Sequence, residues 1–216
     1  MTAAATTALM NRIYRRQRHV YDATRKYFLL GRDLLIARLA ARPGDRVLEI
    51  GCGTGRNLIL AAARYGGVQF YGIDVSTEML ESAIESIGRA GLAARVKVAH
   101  ADATALDPAT LFGAAQVERI FISYSLSMIP RWQDVIDSAL ARLAPGGELH
   151  IVDFGGQAGL PRWFRAGLRR WLALFHVTPR DDMERVLQQR VAQLPGATLR
   201  LERPYRDYAQ YACVTR

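Results

Sequence analysis

Val47-Leu-Glu-Ile-Gly51-Cys-Gly53-Thr-Gly55-Arg-Asn57 is the stretch that decides how this chain is read. Arg46 to Ile50 is a short apolar run that fits a buried strand. The three glycines let the backbone turn sharply and let a ligand approach it closely. Asn57 to Tyr65 then reads as a helix. The dinucleotide fingerprint G-x-G-x-x-G needs a glycine where this chain has Arg56, and a Walker loop is excluded because no G-K-[ST] follows. What remains is E-x-G-x-G-x-G, with an acid two residues before the first glycine.

Outward from this unit, strand and helix patterns alternate. Val68–Ile73, Arg95–Ala99, Val117–Ile122 and Glu148–Phe154 read as strands. Thr77–Ala90 reads as a helix capped by Ser76, and Arg131–Leu143 as a helix stopped by Pro145-Gly146-Gly147. Leu160–Phe175 and Asp181–Leu194 look helical, and Ala197–Glu202 and Tyr208–Val214 are two late strands. Before the glycine turn, Leu9–Leu30 carries Tyr14, Tyr21 and Phe28 at seven-residue spacing, one helical face, and Asp33–Ala41 is a second short helix. The pattern predicts an α/β fold, a doubly wound, seven-stranded, mostly parallel sheet. One domain spans 1–216, with N-terminal lid helices (1–45), a core (46–154), and a helical insertion with the last strands (155–216).

Composition narrows the class. The chain has 216 residues, 50% hydrophobic and 23% charged, which argues against disorder. No apolar run approaches the roughly 20 residues of a membrane span, and Met1–Met10 lacks a signal-peptide pattern. Cys52 and Cys213 make no disulfide framework and suit a reducing cytoplasm. The four histidines show no metal-ligand spacing, so no metal is expected. The formal charge is +9, divided as +7 over 1–46, −4 over 47–157 and +6 over 158–216. A basic total suggests a polyanion or an acidic substrate; the division moves that excess to the two ends.

E-x-G-x-G-x-G over Arg46–Phe154 resembles the class I S-adenosylmethionine-dependent methyltransferases. The resemblance implies S-adenosyl-L-methionine as cofactor, its methionine part at the glycine loop. It places Asp74, in Tyr71-Gly-Ile-Asp-Val-Ser76, on the ribose hydroxyls, and Asp102, in Ala101-Asp-Ala-Thr104, near the adenine amino group. Carboxylates accept hydrogen bonds from such groups. Glu49, Gly51, Cys52, Gly53, Val75, Met79, Ala103 and Ser123 complete the cofactor contacts implied. The Cys52 side chain reads as a small packing group, with no basic partner to activate it.

The acceptor is expected beyond the fourth strand, at Phe121-Ile-Ser-Tyr-Ser-Leu-Ser-Met-Ile129. The N-P-P-Y of base and amide methyltransferases is absent there. Tyr14, Tyr21 and Tyr124 are candidates to orient an amine and hold a methylated cation against their ring faces. Pro161–Phe175 is amphipathic, with Arg162, Arg165 and Arg169 on one face, a pattern that suits an anionic lipid surface as well as an ordinary surface helix. Tyr21-Asp-Ala-Thr-Arg25, Phe28-Leu-Leu-Gly-Arg-Asp33 and the glycine stretch resemble the bacterial diacylglycerylhomoserine N-methyltransferases of betaine-lipid synthesis. That resemblance implies a peripheral enzyme at the inner membrane surface, three methyl transfers to a lipid amine, and an upstream lipid aminocarboxypropyl transferase. Arg25 and Arg32 become candidates for a carboxylate, of the acceptor or of the cofactor. No RNA-binding motif is present, so no nucleic-acid partner is expected; phosphatidylethanolamine, a soluble small molecule and RNA are the alternative acceptors.

Overall fold

The computed structural model describes residues 28–216. Its strands are β1 (Arg46–Ile50), β2 (Gln69–Asp74), β3 (Val96–His100), β4 (Val117–Ser123), β5 (Leu143–Phe154), β6 (Thr198–Glu202) and β7 (Ala209–Thr215). They form one sheet in the order β3-β2-β1-β4-β5-β7-β6. The pairs among β1 to β5 are parallel, and β7 runs antiparallel to β5 and β6. Val47, Leu48 and Ile50 of β1 and Ile120, Phe121 and Ile122 of β4 are fully buried. A central parallel strand is covered on both faces, which is why it reads as an unbroken apolar run.

The helices are α1 (Arg32–Arg38), α2 (Arg56–Arg64), α3 (Thr77–Arg89), α4 (Pro108–Phe112), α5 (Trp132–Arg142), α6 (Arg162–Leu174) and α7 (Met183–Val191). Two apolar layers lie on the two faces of the sheet. One joins Leu35 and Leu39 of α1, Leu58 and Ala61 of α2, Leu80 and Ala83 of α3, and Leu168 and Leu172 of α6 to Val47, Phe70 and Phe121. The other joins Val135, Ile136 and Ala139 of α5 and Met183, Val186 and Leu187 of α7 to Leu48, Ile50 and Ile122. Adjacent residues of β1 thus serve opposite layers, as the period of a strand requires.

Ser76 caps α3 as expected, its hydroxyl accepting from the Met79 amide at 3.3 Å. Pro145-Gly146-Gly147 behaves differently from its reading as a stop. β5 begins earlier, at Leu143, and its pairing with β4 jumps from Val117–Leu143 to Arg119–Glu148. The Pro-Gly-Gly run is therefore an irregularity inside a strand, with Gly146 at φ 73°. α4 had no counterpart in the sequence reading; five residues carry too little periodicity to be seen. The predicted helix Leu9–Leu30 lies outside the described residues except for its last three.

Candidate functional site

The C-terminal ends of β1, β2, β3 and β4 meet at one edge of the sheet, the edge where open parallel sheets bind ligands. After Ile50 the chain turns through Gly51 (φ 74°), Gly53 (φ 53°) and Gly55 (φ 75°), angles that side-chain-bearing residues rarely adopt. The Gly51 and Cys52 amides donate to Ile73 O at 2.9 and 3.0 Å, so the loop folds back onto the end of β2. A Cβ at Gly51 would lie 2.6 Å from Ser125 Cβ, and one at Gly55 3.2 Å from Ala83 Cβ. Glycine is thus required at Gly51 twice over, by backbone angle and by contact.

Asp74 closes this loop. One carboxylate oxygen accepts from the Gly53 amide at 2.8 Å and the other from the Ser76 amide at 2.9 Å. Glu49 is buried at the end of β1 and accepts from Asn57 Nδ2 at 2.8 Å, which ties the strand to the first turn of α2. Val75 follows Asp74 half-buried, and its carbonyl lies 3.2 Å from His100 Nε2. Met79 is buried in the first turn of α3. Asp102 is exposed and accepts from the Thr104 amide and hydroxyl at 2.9 and 2.8 Å, which fixes the single turn Ala103–Ala105. Ala101 N donates to Asp74 O at 3.1 Å and draws the ends of β2 and β3 together.

Cys52 is a packing residue within the loop. A Cβ on Gly72 would meet its Cβ and Sγ at 2.9 Å, so the thiol lies over that glycine. Burial first, and then the neighbouring charges of Asp74 and Glu49, push the thiol well above its ordinary range. It is neutral and inert at physiological pH. Ser123, half-buried at the end of β4, has a hydroxyl shielded from solvent with no hydrogen-bond partner among the described residues.

Tyr124, Ser125 and the strand ends β5 and β7 form the other half of the edge. The Tyr124 ring is buried edge-on to Phe154, centroids 4.7 Å apart, and its hydroxyl donates to Leu30 O. Tyr208 donates to Phe28 O at 3.0 Å. These tyrosines hold the segment Phe28–Gly31 that leads into α1. Tyr124 was expected to orient the acceptor amine; its one hydroxyl proton is instead committed to a backbone carbonyl. Burial raises that phenol well above its usual range, which rules it out as a base near neutrality. Arg32 is nearly buried at the start of α1, close enough to Tyr124 for its charge to act on the phenol. Tyr14, Tyr21 and Arg25 lie outside the described residues.

On α6, Arg162 and Arg165 are exposed. Arg169 is not part of that cationic face, contrary to expectation. Its guanidinium grips Asp181 through two bonds of 2.8 and 2.6 Å and reaches Gln157 at 3.2 Å, which staples α6 to the segment before α7. Arg162 and Arg165 stay exposed, but two turns after Arg162 the position of Arg169 meets a neighbouring segment that the pattern does not contain.

Some features at this edge had no sequence signal. Tyr205, Arg206 and Asp207 are three consecutive left-handed residues (φ 57°, 59° and 64°), and Gln157 (φ 55°) joins them. Each costs about 1–2 kcal/mol. The Asp207 carboxylate accepts from the Ala158 amide at 2.9 Å and from Arg203 at 3.0 Å, and a Cβ at Gly155 would lie 2.5 Å from Asp207 O. Asp153 is fully buried at the end of β5, and burial raises it to about 6 against two backbone amides that favour its charge.

The methyltransferase-domain family matches residues 47–147. This stretch runs from β1 into β5 and contains the glycine loop, Asp74 and Asp102. Residues 47–147 are a class I, S-adenosylmethionine-dependent methyltransferase domain. The O-methyltransferase resE of Aspergillus sclerotiorum is 31% identical over 148 residues, 68% of this chain and 53% of its own. Trans-aconitate 2-methyltransferase of Delftia acidovorans is 32% identical over 117 residues, 54% of this chain and 41% of its own. The chain therefore spans about half the length of the relatives it matches. The crystal structure of an S-adenosylmethionine-dependent methyltransferase from Aquifex aeolicus superposes with a TM-score of 0.66 at 18% identity, over 93% of this chain and 96% of that one. The shared fold includes the seven-stranded, mostly parallel sheet.

The residues present fit this cofactor. A carboxylate at the end of β2, held against the glycine loop, and an exposed carboxylate after β3 offer acceptors for hydroxyl and amino groups. Among the described residues no helix is long and apolar enough to cross a membrane.

Proposed function

We propose that this chain methylates the amine of a lipid headgroup at an anionic membrane surface. In this reading the acceptor is diacylglycerylhomoserine, methylated three times to its trimethylated betaine lipid, with phosphatidylethanolamine as the alternative of the same amine chemistry. A lipid aminocarboxypropyl transferase would supply the acceptor. The observation that carries the reading is the outer face of α6. Trp163 is 76% exposed and Leu174 71%, beside the exposed cations Arg162, Arg165 and Arg170. Large exposed apolar groups rimmed by cations suit a headgroup layer, with rings at the boundary and guanidinium groups on phosphates. Leu168 and Leu172 fasten the opposite face of the helix to the core, so this display is held rigidly.

S-adenosylmethionine, when bound, supplies an electrophilic methyl group on a sulfonium. The protein's part is to align the acceptor lone pair and exclude water. Glu49, Asp74 and the glycine turn orient the donor end. Tyr124 and Tyr208 hold the Phe28–Gly31 segment over the acceptor end, where Arg32 at the start of α1 brings a cation for an acceptor carboxylate. Among the described residues no side chain at this edge is placed as a base for the amine; an amine that enters unprotonated gives up its remaining proton to water after transfer.

A second reading is a soluble acid acceptor. It is favoured by Arg32 at the acceptor end together with the similarity to a trans-aconitate methyltransferase. Labelled S-adenosylmethionine given with a total lipid extract, with small organic acids and with total RNA separates these. Label in an organic-soluble amine lipid supports the lipid reading; label only in the acids or in RNA overturns it. Flotation with anionic vesicles is a second test. The protein should float at low salt and be released at high salt, and failure to float at low salt counts against the membrane part.

A further inference from the structure

A single turn of 3₁₀ helix, Leu126–Met128, follows Ser125 directly beyond β4. Its backbone is bound from outside. The Ser127 amide donates to Asp153 Oδ2 at 3.0 Å, and the Thr178 amide donates to Ser127 O at 2.8 Å. Arg180 donates from Nε to Leu126 O at 3.0 Å and from Nη2 to Ile129 O at 2.8 Å. One guanidinium fork thus spans the two ends of the turn, a geometry that a lysine ammonium cannot reproduce.

Arg180 is itself fixed. Its carbonyl accepts from Gln210 Nε2 at 2.9 Å, and its guanidinium lies 5.8 Å from the Trp132 ring centre. Asp153 supplies an opposite charge nearby. At the other end of the turn, Ser125 Oγ donates to Ile50 O at 3.1 Å, and Ser125 is the residue a Cβ on Gly51 would strike. A continuous line of contacts therefore runs from Thr178 and Arg180, through the turn, to the first glycine of the loop.

We infer that Arg180 is a positioning residue for methyl transfer: it presses the turn after β4 against the glycine loop and so makes the segment between α6 and α7 part of the cofactor site's geometry. The inference rests on the cofactor's amino-acid portion lying at that loop. Arg180 touches neither the loop nor a ligand. It acts by fixing where Ser125 stands.

The test compares two ligands. S-adenosylhomocysteine carries the amino-acid portion, and 5′-methylthioadenosine lacks it. Calorimetric affinities are measured for the intact chain, for Arg180→Met and for Arg180→Lys, each shown to be folded by circular dichroism. Arg180→Met is expected to weaken S-adenosylhomocysteine about tenfold, roughly 1.4 kcal/mol, and to leave methylthioadenosine within about twofold. Arg180→Lys, which keeps the charge and part of the bonding, should fall between. Unchanged affinity in a folded variant overturns the inference, and so does equal weakening of the two ligands, the signature of general loosening. If Arg180→Met does not fold, the same comparison on Arg180→Lys decides. Asp74→Ala sets the frame: it should weaken both ligands. If it weakens neither, the placement of the cofactor has failed, and the inference with it. If it weakens both while Arg180 variants discriminate nothing, the inference alone has failed.

Discussion

Around β1 to β3 the site is tied by bonds between residues close in sequence: Asp74 to Ser76, Glu49 to Asn57, Asp74 to Gly53, with separations of 2, 8 and 21 positions. Around β4, β5 and β7 the ties are long. Arg180 reaches Leu126 across 54 positions, Tyr124 reaches Leu30 across 94, and Tyr208 reaches Phe28 across 180. Left-handed backbone is distributed in the same way. Around β1 to β3 it falls on glycines, whereas around β4, β5 and β7 it falls also on Tyr124, Gln157, Tyr205, Arg206 and Asp207. The ends of β1 to β3 are joined largely by ties within about twenty positions, apart from the distant bond from Ser125 to Ile50 O. The arrangement around β4, β5 and β7 exists only after the sheet has closed, and its strain is held by packing that the rest of the fold provides.

The largest effect expected from this contrast is at Gly51. Gly51→Ala should abolish measurable S-adenosylhomocysteine binding and cost about 2–5 kcal/mol of stability, from backbone strain and the contact with Ser125. Thermal unfolding and calorimetry check it. An alanine variant that binds normally would break the claim that the loop needs that close approach. Asp74→Ala comes next, with about a hundredfold loss of affinity, roughly 2.7 kcal/mol, because it removes the anchor of the Gly53 amide together with the carboxylate proposed for the donor end.

Asp153 probes the edge at β5 through pH. Burial raises it from 3.8 to about 6 in the fold, so the fold favours its neutral form. Its contribution to stability is present below about pH 4 and is lost as pH rises through 6, a loss on the order of 3 kcal/mol. Unfolding free energies of the intact chain and of Asp153→Asn should therefore diverge by that amount between pH 4 and 7. A constant difference across the range would mean that Asp153 does not titrate there. The smallest effect belongs to α6. Arg169→Gln breaks a partly exposed pair and should cost roughly 1 kcal/mol or less, with vesicle flotation unchanged. Replacing Arg162 and Arg165 by Gln should spare stability and reduce flotation. The reverse pattern would return Arg169 to the cationic face.

Legibility in the sequence followed the same division. The strand, glycine turn and helix at Val47–Asn57, the Ser76 cap and Asp74 were readable because each depends on residues within a few turns of backbone. Asp102 was readable as an acid after β3, although its bonds to Thr104 were not. Arg162 and Arg165 were visible as part of an amphipathic pattern, whose exposed side, with Trp163, the structure identifies. Arg169 could not be read correctly, because a helical wheel contains no Asp181. Tyr124 could not either, since nothing near it in sequence announces that its hydroxyl will meet Leu30. Arg180 gave no signal at all: one arginine among many in a basic chain.

The order of strands and helices, the glycine loop and the carboxylates at the ends of β2 and β3 were thus settled by the sequence alone, through apolar periodicity and the conformational freedom of glycine. The tertiary structure decided which arginines are free and which are clamped, where the turn after β4 stands, and which tyrosines hold the chain rather than face a ligand. Those outcomes depend on contacts between residues 12 to 180 positions apart, and a linear pattern has no term for a partner that only folding brings near.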